Sequence, residues 1–233
     1  MERDSIESNI RRIESRIKEA AERAGRNAEG IRLMAVTKTR IREEIIAAYR
    51  AGISLFGENR VAEAEEKYKD LGIDIELHMI GHLQRNKAKT AAGLFKCVQS
   101  IDKLETAEVL NKYLETLNKK MDILFEINTS GEESKYGFRD KNEYFRVLER
   151  VNQLSMINIR GLMTIGPFTD NEQMIRDSFR FLRELYEETR SRYQFLEIDT
   201  LSMGMSSDFE IAVEEGATLL RIGSSIFGSR RTG

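Results

Sequence analysis

Lys38 follows the run Met34-Ala35-Val36-Thr37, so a primary amine stands where a hydrophobic segment ends. Partial loss of water at such a place disfavours the ammonium form and lowers the pKa. A neutral amine is what attack on a carbonyl, and Schiff-base formation, require. On the pattern alone a solvated strand-end lysine weighs more. Arg221 lies inside Leu219-Leu220-Arg221-Ile222. A buried guanidinium needs acceptors, because it can only donate. Either a carboxylate (Glu58, Glu126 or Asp199) or an acceptor on a ligand meets that need. Gly204 and Gly223 permit close backbone approach, and Ser202, Ser206, Ser224 and Ser225 add hydroxyls. With a helix starting near Ser207, or a short one after Gly223, these residues make an anion cradle. Ordinary turn and cap chemistry explains the same serines and glycines equally well. His78 and His82 flank Met79-Ile80-Gly81 without an acidic cluster, which is no zinc motif. His82 is placed at the mouth of the fold and His78 is read as a satisfied core or surface histidine. Arg85 and Asn86-Lys87-Ala88-Lys89 read as a solvated basic helix face.

These residues need elements to hold them. Ile6, Ile10, Ile13 and Ile17, continued by Ala20, Ala21 and Ala24, form a helical stripe that Gly25 can stop. After it come eight short apolar runs: Ile31–Val36, Ile53–Phe56, Glu76–Ile80, Phe95–Val98, Met121–Asn128, Ile157–Thr164, Phe195–Leu201 and Thr218–Ile222. Continuous apolar character suits parallel strands buried on both faces. Helical patterns separate them, with caps expected from an Asp102/Glu105 box, from Asp170, and from a Ser207/Glu210 box closed by Gly216. Eight alternations predict a single (β/α)8 TIM barrel with an extra N-terminal helix, one domain over residues 1–233. A doubly wound open sheet is the alternative, since periodicity does not give strand order. In a barrel the active site lies at the C-terminal strand ends, and the polar and glycine residues gather at those ends.

Composition bounds the rest. Of 233 residues, 40% are apolar and 33% charged, as in an ordinary globular domain. The net charge of −2 gives no electrostatic case for nucleic acid or an anionic membrane. The N-terminus lacks a signal-peptide core, no run spans a bilayer, and Cys97 is the single cysteine, which excludes an internal disulfide. A cytoplasmic protein is expected.

Seven ordered motifs then carry a resemblance across nearly the whole chain. They are Ala35-Val36-Thr37-Lys38-Thr39, Phe56-Gly57-Glu58-Asn59-Arg60, His78 through Lys87, Ser134-Lys135-Tyr136-Gly137-Phe138, Gly161-Leu162-Met163-Thr164, Leu201 through Ser206, and Arg221 through Gly228. On these motifs the chain resembles the YggS/PROSC family of pyridoxal phosphate homeostasis proteins, single-domain relatives of the alanine racemase N-terminal barrel (fold type III). The resemblance implies pyridoxal 5′-phosphate (PLP) as cofactor, with Lys38 as its Schiff-base lysine and Arg221 facing the pyridine nitrogen. It further implies that Ser202, Gly223 and Ser224 hold the phosphate, with Asn59 and Met203 near the ring. Two departures stand out: Arg40-Ile41 occupies the place where a proline often follows, and Ser224 replaces a common threonine but keeps the hydroxyl.

An arginine opposite the pyridine nitrogen discourages its protonation and weakens the ring as an electron sink. Racemisation would also need a base on the other face, which alanine racemase takes from a second, β-rich domain. A chain that closes soon after its eighth strand leaves no room for that domain. The expectation is a PLP binder in vitamin B6 homeostasis, with no established catalytic residue and no metal, acting indirectly on amino-acid and keto-acid balance. Its partners would be PLP and recipient apoenzymes, and it would be a monomer rather than an obligate oligomer. The alternatives are a low-efficiency racemase using Tyr136 or His82, and a barrel enzyme for a phosphorylated metabolite.

Overall fold

The computed structural model describes residues 5–228. Eight parallel strands, β1 (Arg32–Val36), β2 (Leu55–Glu58), β3 (Glu76–Met79), β4 (Cys97–Ile101), β5 (Met121–Glu126), β6 (Ile157–Met163), β7 (Thr200–Ser202) and β8 (Leu219–Ile222), pair in chain order. The last pairs with the first, Arg32 to Leu219 through Ala35 to Ile222. That closure makes the sheet a barrel and removes the open-sheet alternative.

Around it run α1 (Ile6–Arg23), α2 (Arg42–Arg50), α3 (Val61–Tyr68), α4 (Ala88–Leu94), α5 (Leu104–Leu117), α6 (Lys141–Val151), α7 (Glu172–Arg192), α8 (Phe209–Glu214) and α9 (Ser224–Phe227). The α1 stripe is as the spacing predicts, with Ile10, Ile13, Ile17, Ala20 and Ala21 buried. Ser5 caps it by accepting from the Ser8 N–H at 3.1 Å. This extra helix lies on α8, α9 and α2 and so backs the joint between first and last strands.

Side-chain parity sorts each strand into two environments, because successive residues point to opposite faces. Ala35, Phe56, Leu77, Val98, Phe125, Leu220 and Ile222 join the large core between sheet and helices. Met34, Val36, Leu55, Ile80 and Leu219 form a separate small cluster inside the barrel, as do Cys97, Leu124 and Met163. Polar His78, Gln99, Ser202 and Arg221 share that interior, all nearly inaccessible. The barrel wall is therefore apolar outward and mixed inward.

Several boundaries differ from expectation. The fourth strand reaches Ile101, because Gln99 and Ser100 are fully buried rather than leaving the sheet. The seventh begins at Thr200: Phe195 is exposed in a turn, and Leu196 and Ile198 pack on the core without joining the sheet. None of the three expected caps forms. Lys103 precedes α5 without a side-chain cap, while Asp102 is buried near His82. Asn171, not Asp170, caps α7 by accepting from the Met174 N–H at 3.2 Å. Asp208 precedes α8 and turns its carboxylate back to the Met205 N–H at 2.5 Å. Gly216 does end that helix, in the left-handed region at φ +109°.

Candidate functional site

Lys38 continues the inward parity of Met34 and Val36 one step past β1, and its half-buried side chain lines a cavity of about 410 Å³ at the C-terminal mouth. The turn that carries it is pinned from both sides. Thr37 donates its hydroxyl to Glu58 at 2.6 Å and meets the Tyr68 hydroxyl at 2.6 Å. Lys67 donates to the Thr37 carbonyl at 2.6 Å and pairs with Glu58 at 2.5 Å and Glu63 at 2.9 Å. Glu63 in turn accepts from the Thr39 N–H at 2.5 Å, where Thr39 takes the left-handed φ of +64°. Burial pushes the Glu58 carboxyl up despite Lys67 beside it. This anchor of Glu58, Glu63 and Lys67 was not legible in the sequence. The clue was a charged residue, Glu58, closing an apolar strand.

The opposite wall comes from β7 and β8. Gly204 turns the chain at φ +91°, and a Cβ there would stand 2.5 Å from the Ala212 Cβ. The turn delivers Met205, Ser206 and Ser207 to the cavity. Ser206 Oγ accepts from the Gly223 N–H at 3.3 Å and the Ser225 N–H at 3.2 Å, stitching the two loops into one cradle. Arg40 also lines the cavity and donates to the Phe227 carbonyl at 3.2 Å and to the Gly228 carbonyl. It thereby ties the β1 turn to the end of α9, although the sequence flagged it only as a missing proline.

Arg221 is buried in the interior and reaches the same cavity. It donates to Ser202 Oγ and to the Thr164 carbonyl, each at 2.6 Å. The carboxylates weighed as its partners are placed otherwise. Glu58 pairs with Lys67, Asp199 pairs with Arg160, and Glu126 acts on Arg221 through its charge. Desolvation brings the guanidinium down to about 10, with Asp208 and Glu126 opposing. Asn59 lines the cavity with a buried Oδ1 that has no hydrogen-bond partner among the described residues. Its backbone is approached so closely that a Cβ on Gly81 would lie 2.3 Å from the Asn59 carbonyl oxygen.

The structure thus gathers Lys38, Asn59, Arg221, Gly223 and Ser224 around one cavity and keeps two expected residues out of its lining. Ser202 is fully buried and its hydroxyl donates to Gln99 at 2.7 Å, so it supports Arg221 rather than facing a phosphate. Met203 has outward parity and belongs to the core between sheet and helices. Apolar Val36, Ile80 and Ile165 complete walls suited to a flat ring, with polar groups at its edges. An amine, a guanidinium, an unpartnered amide oxygen and a serine–glycine cradle fit a phosphorylated aromatic aldehyde. His82 stacks on Tyr136 with ring centroids 4.0 Å apart, and its Nδ1 stands 3.7 Å from Asp102; neither ring lines this cavity. Among the described residues no cluster suits a metal ion, and no helix is long and apolar enough to cross a membrane.

Fold and site define a (β/α)8 barrel of the alanine racemase type, and residues 3–231 match the family model described as "Alanine racemase, N-terminal domain". Within that class the chain belongs to the family of the pyridoxal phosphate homeostasis proteins. It is 40% identical over 223 residues to the protein of that name from Aquifex aeolicus, covering 95% of this chain and 97% of that one. PipY of Synechococcus elongatus, solved with PLP bound, superposes with a TM-score of 0.81 at 33% identity, over 91% of this chain and all of that one. Alanine racemase of Clostridium difficile shares the fold at 17% identity and a TM-score of 0.75, with 58% of its chain covered.

Proposed function

We propose that this chain binds pyridoxal 5′-phosphate in the β1/β8 mouth, with Lys38 as the Schiff-base lysine, and acts in the cytoplasm as a reversible holder of the cofactor. The carrying observation is the convergence of Lys38, Asn59, Arg221, Gly223 and Ser224 on one cavity, in a chain whose relative PipY has been solved with PLP bound. Bound there, the cofactor would supply an aldehyde with which a neutral amine condenses, losing one water, and from which one water frees it again. Lys38 supplies that amine from a turn locked by Glu58, Glu63 and Lys67. Arg221, a donor only, faces the ring nitrogen and keeps it unprotonated. The Ser206–Ser224 cradle and Arg40 receive the phosphate, and Asn59 offers its unpartnered oxygen near the ring.

A holder of this kind buffers a reactive aldehyde, passes it to apoenzymes that need it, and so influences amino-acid and keto-acid balance indirectly. Against the racemase reading stands the placement of the two residues weighed as its second base: His82 and Tyr136 stack on each other outside the lining of this cavity. Purified protein given PLP should show a visible band that borohydride fixes onto Lys38, and Lys38→Ala should lose it. No band with excess PLP would return Lys38 to an ordinary strand-end lysine. Incubating an amino acid with the loaded protein in heavy water should give no deuterium at Cα. Steady incorporation would favour a racemase.

A further inference from the structure

Behind Arg221 the barrel interior holds a continuous line of polar side chains where an apolar filling is usual. Arg221 donates to Ser202 Oγ at 2.6 Å, and Ser202 donates to Gln99 Oε1 at 2.7 Å. Gln99 Nε2 meets His78 Nδ1 at 2.8 Å, and His78 Nε2 meets Glu76 Oε1 at 2.7 Å. Arg32 closes the line on Glu76 at 2.6 Å. Glu76 and Arg32 begin their strands and line a second cavity, of about 250 Å³, at the opposite face. We infer that Gln99 and His78, neither of which lines the ligand cavity, are positioning residues for Arg221, acting through the Ser202 hydroxyl along a hydrogen-bonded chain that crosses the barrel.

Donor counting gives the chain one direction. A guanidinium only donates, so Ser202 accepts from it and spends its single proton on Gln99 Oε1. The Gln99 amide then presents N–H to His78, whose Nδ1 must accept. The ring proton therefore sits on Nε2, aimed at Glu76. Flipping the Gln99 amide would point two donors at Ser202 Oγ and leave its proton without an acceptor. The bonds from His78 and Arg32 hold Glu76 down to about 2, so an anion terminates the chain that a cation begins. Gln99 and Ser202 are fully buried and His78 nearly so, so each lost partner leaves a desolvated polar group. Arg221 is thus fixed from behind at the height where its remaining donors meet the cavity.

The inference rests on the reading of Arg221 as the group that faces the PLP ring, and its test separates the two. His78 and His82 are the only histidines, so 15N spectra of cofactor-free protein resolve both. His78 should be the Nε2–H tautomer in the wild type; in Gln99→Leu, Nε2 keeps its proton on Glu76 while the Nδ1 resonance should shift as it loses its donor. With PLP added, Gln99→Leu and His78→Leu should weaken binding ~10-fold and move the visible band, as losses behind a ligating group do. His78→Asn, which offers Oδ1 where Nδ1 stood, should recover most of what His78→Leu loses. An Nδ1–H tautomer in the wild type would overturn the chain. So would folded Gln99→Leu protein with unchanged band and affinity, or an Asn variant no better than Leu. If the wild type forms no band, the cofactor reading fails, and the Nδ1 resonance in wild type and Gln99→Leu still decides whether Gln99 bonds His78. Should Gln99→Leu fail to fold, the wild-type tautomer and the His78 pair carry the decision.

Discussion

Glu126 is a buried carboxyl whose charge acts on Arg221 in the barrel interior. Burial pushes its carboxyl up to about 7, Asp102 adds to the rise, and Arg221 opposes it. A carboxyl raised on folding contributes stability fully present below its unfolded value near 4.5, and that contribution is lost as pH rises through about 7. The gap corresponds to about 3 kcal/mol at most. Glu126→Gln keeps the shape and removes the titration, so its thermal midpoint should fall less than that of the wild type as pH rises from 4.5 through about 7. Equal slopes would show that Glu126 ionises freely. Glu76 has the opposite sign: held down to about 2, it stabilises above its unfolded pKa and loses that as pH falls toward about 2. Lys67 poses a different question, because its ammonium is the partner of buried Glu58. Lys67→Met leaves that carboxylate with Thr37 alone, and breaking a buried pair costs about 3–5 kcal/mol. Urea unfolding should show a loss of that order, with Glu58→Gln added to it recovering part. A loss under ~1 kcal/mol would mark the pair as solvated.

At the scale of elements, the β7–α8 turn shows most plainly how a backbone requirement serves the site. Gly204 adopts φ +91°, and an added Cβ would meet Ala212 Cβ at 2.5 Å and Leu220 at 3.0 Å. Gly204→Ala adds about 1 kcal/mol of backbone cost and about 1–3 kcal/mol of overpacking. In a chain of this size that lowers the thermal midpoint by roughly 4–16 °C, and it should weaken phosphate-dependent PLP binding through Ser206. Pyridoxal without phosphate serves as the control, since its affinity should change little. The same turn marks the limit of what the sequence discloses. Eight apolar runs were readable because the outward faces are apolar and the inward faces partly so, while the order of the strands in the sheet came only with the closure of β8 on β1. Gln99 and Ser202 were not readable as interior residues, since a polar side chain facing a barrel axis looks like a strand exit or a loop donor. The seventh run starts five residues before the strand for the matching reason: Ile198 is buried and Leu196 half-buried against the core without being in the sheet. Lys38, Asn59, Arg221, Gly223 and Ser224, which the resemblance singles out, all line the cavity, each lying at or just beyond the C-terminal end of a strand.

For the molecule as a whole, the decisive feature is that the site straddles the closure of the barrel. Arg40 bonds to Phe227 across 187 residues of sequence, and β1 is hydrogen-bonded to β8. Lys38 and the Gly223–Ser224 cradle exist as one cavity only when the first and last strands are paired. The α1 helix braces that joint from outside, with the Asn9 amide donating to the Ile226 carbonyl at 2.9 Å. A ligand bridging both sides binds the closed barrel and not the open chain, so it stabilises closure by mass action, about 2.7 kcal/mol at 100 times its Kd. With a denaturant slope near 3 kcal/mol per molar, PLP at that level should raise the urea midpoint by roughly 1 M. Lys38→Ala should show a smaller rise at the same PLP concentration. The visible band and the far-UV signal should vanish together, because opening the joint destroys the site and exposes the strands that flank it. Loss of the band well ahead of the helical signal would mean that the mouth loosens while the barrel stays closed, and the joint would then be a local gate rather than the last contact holding the fold.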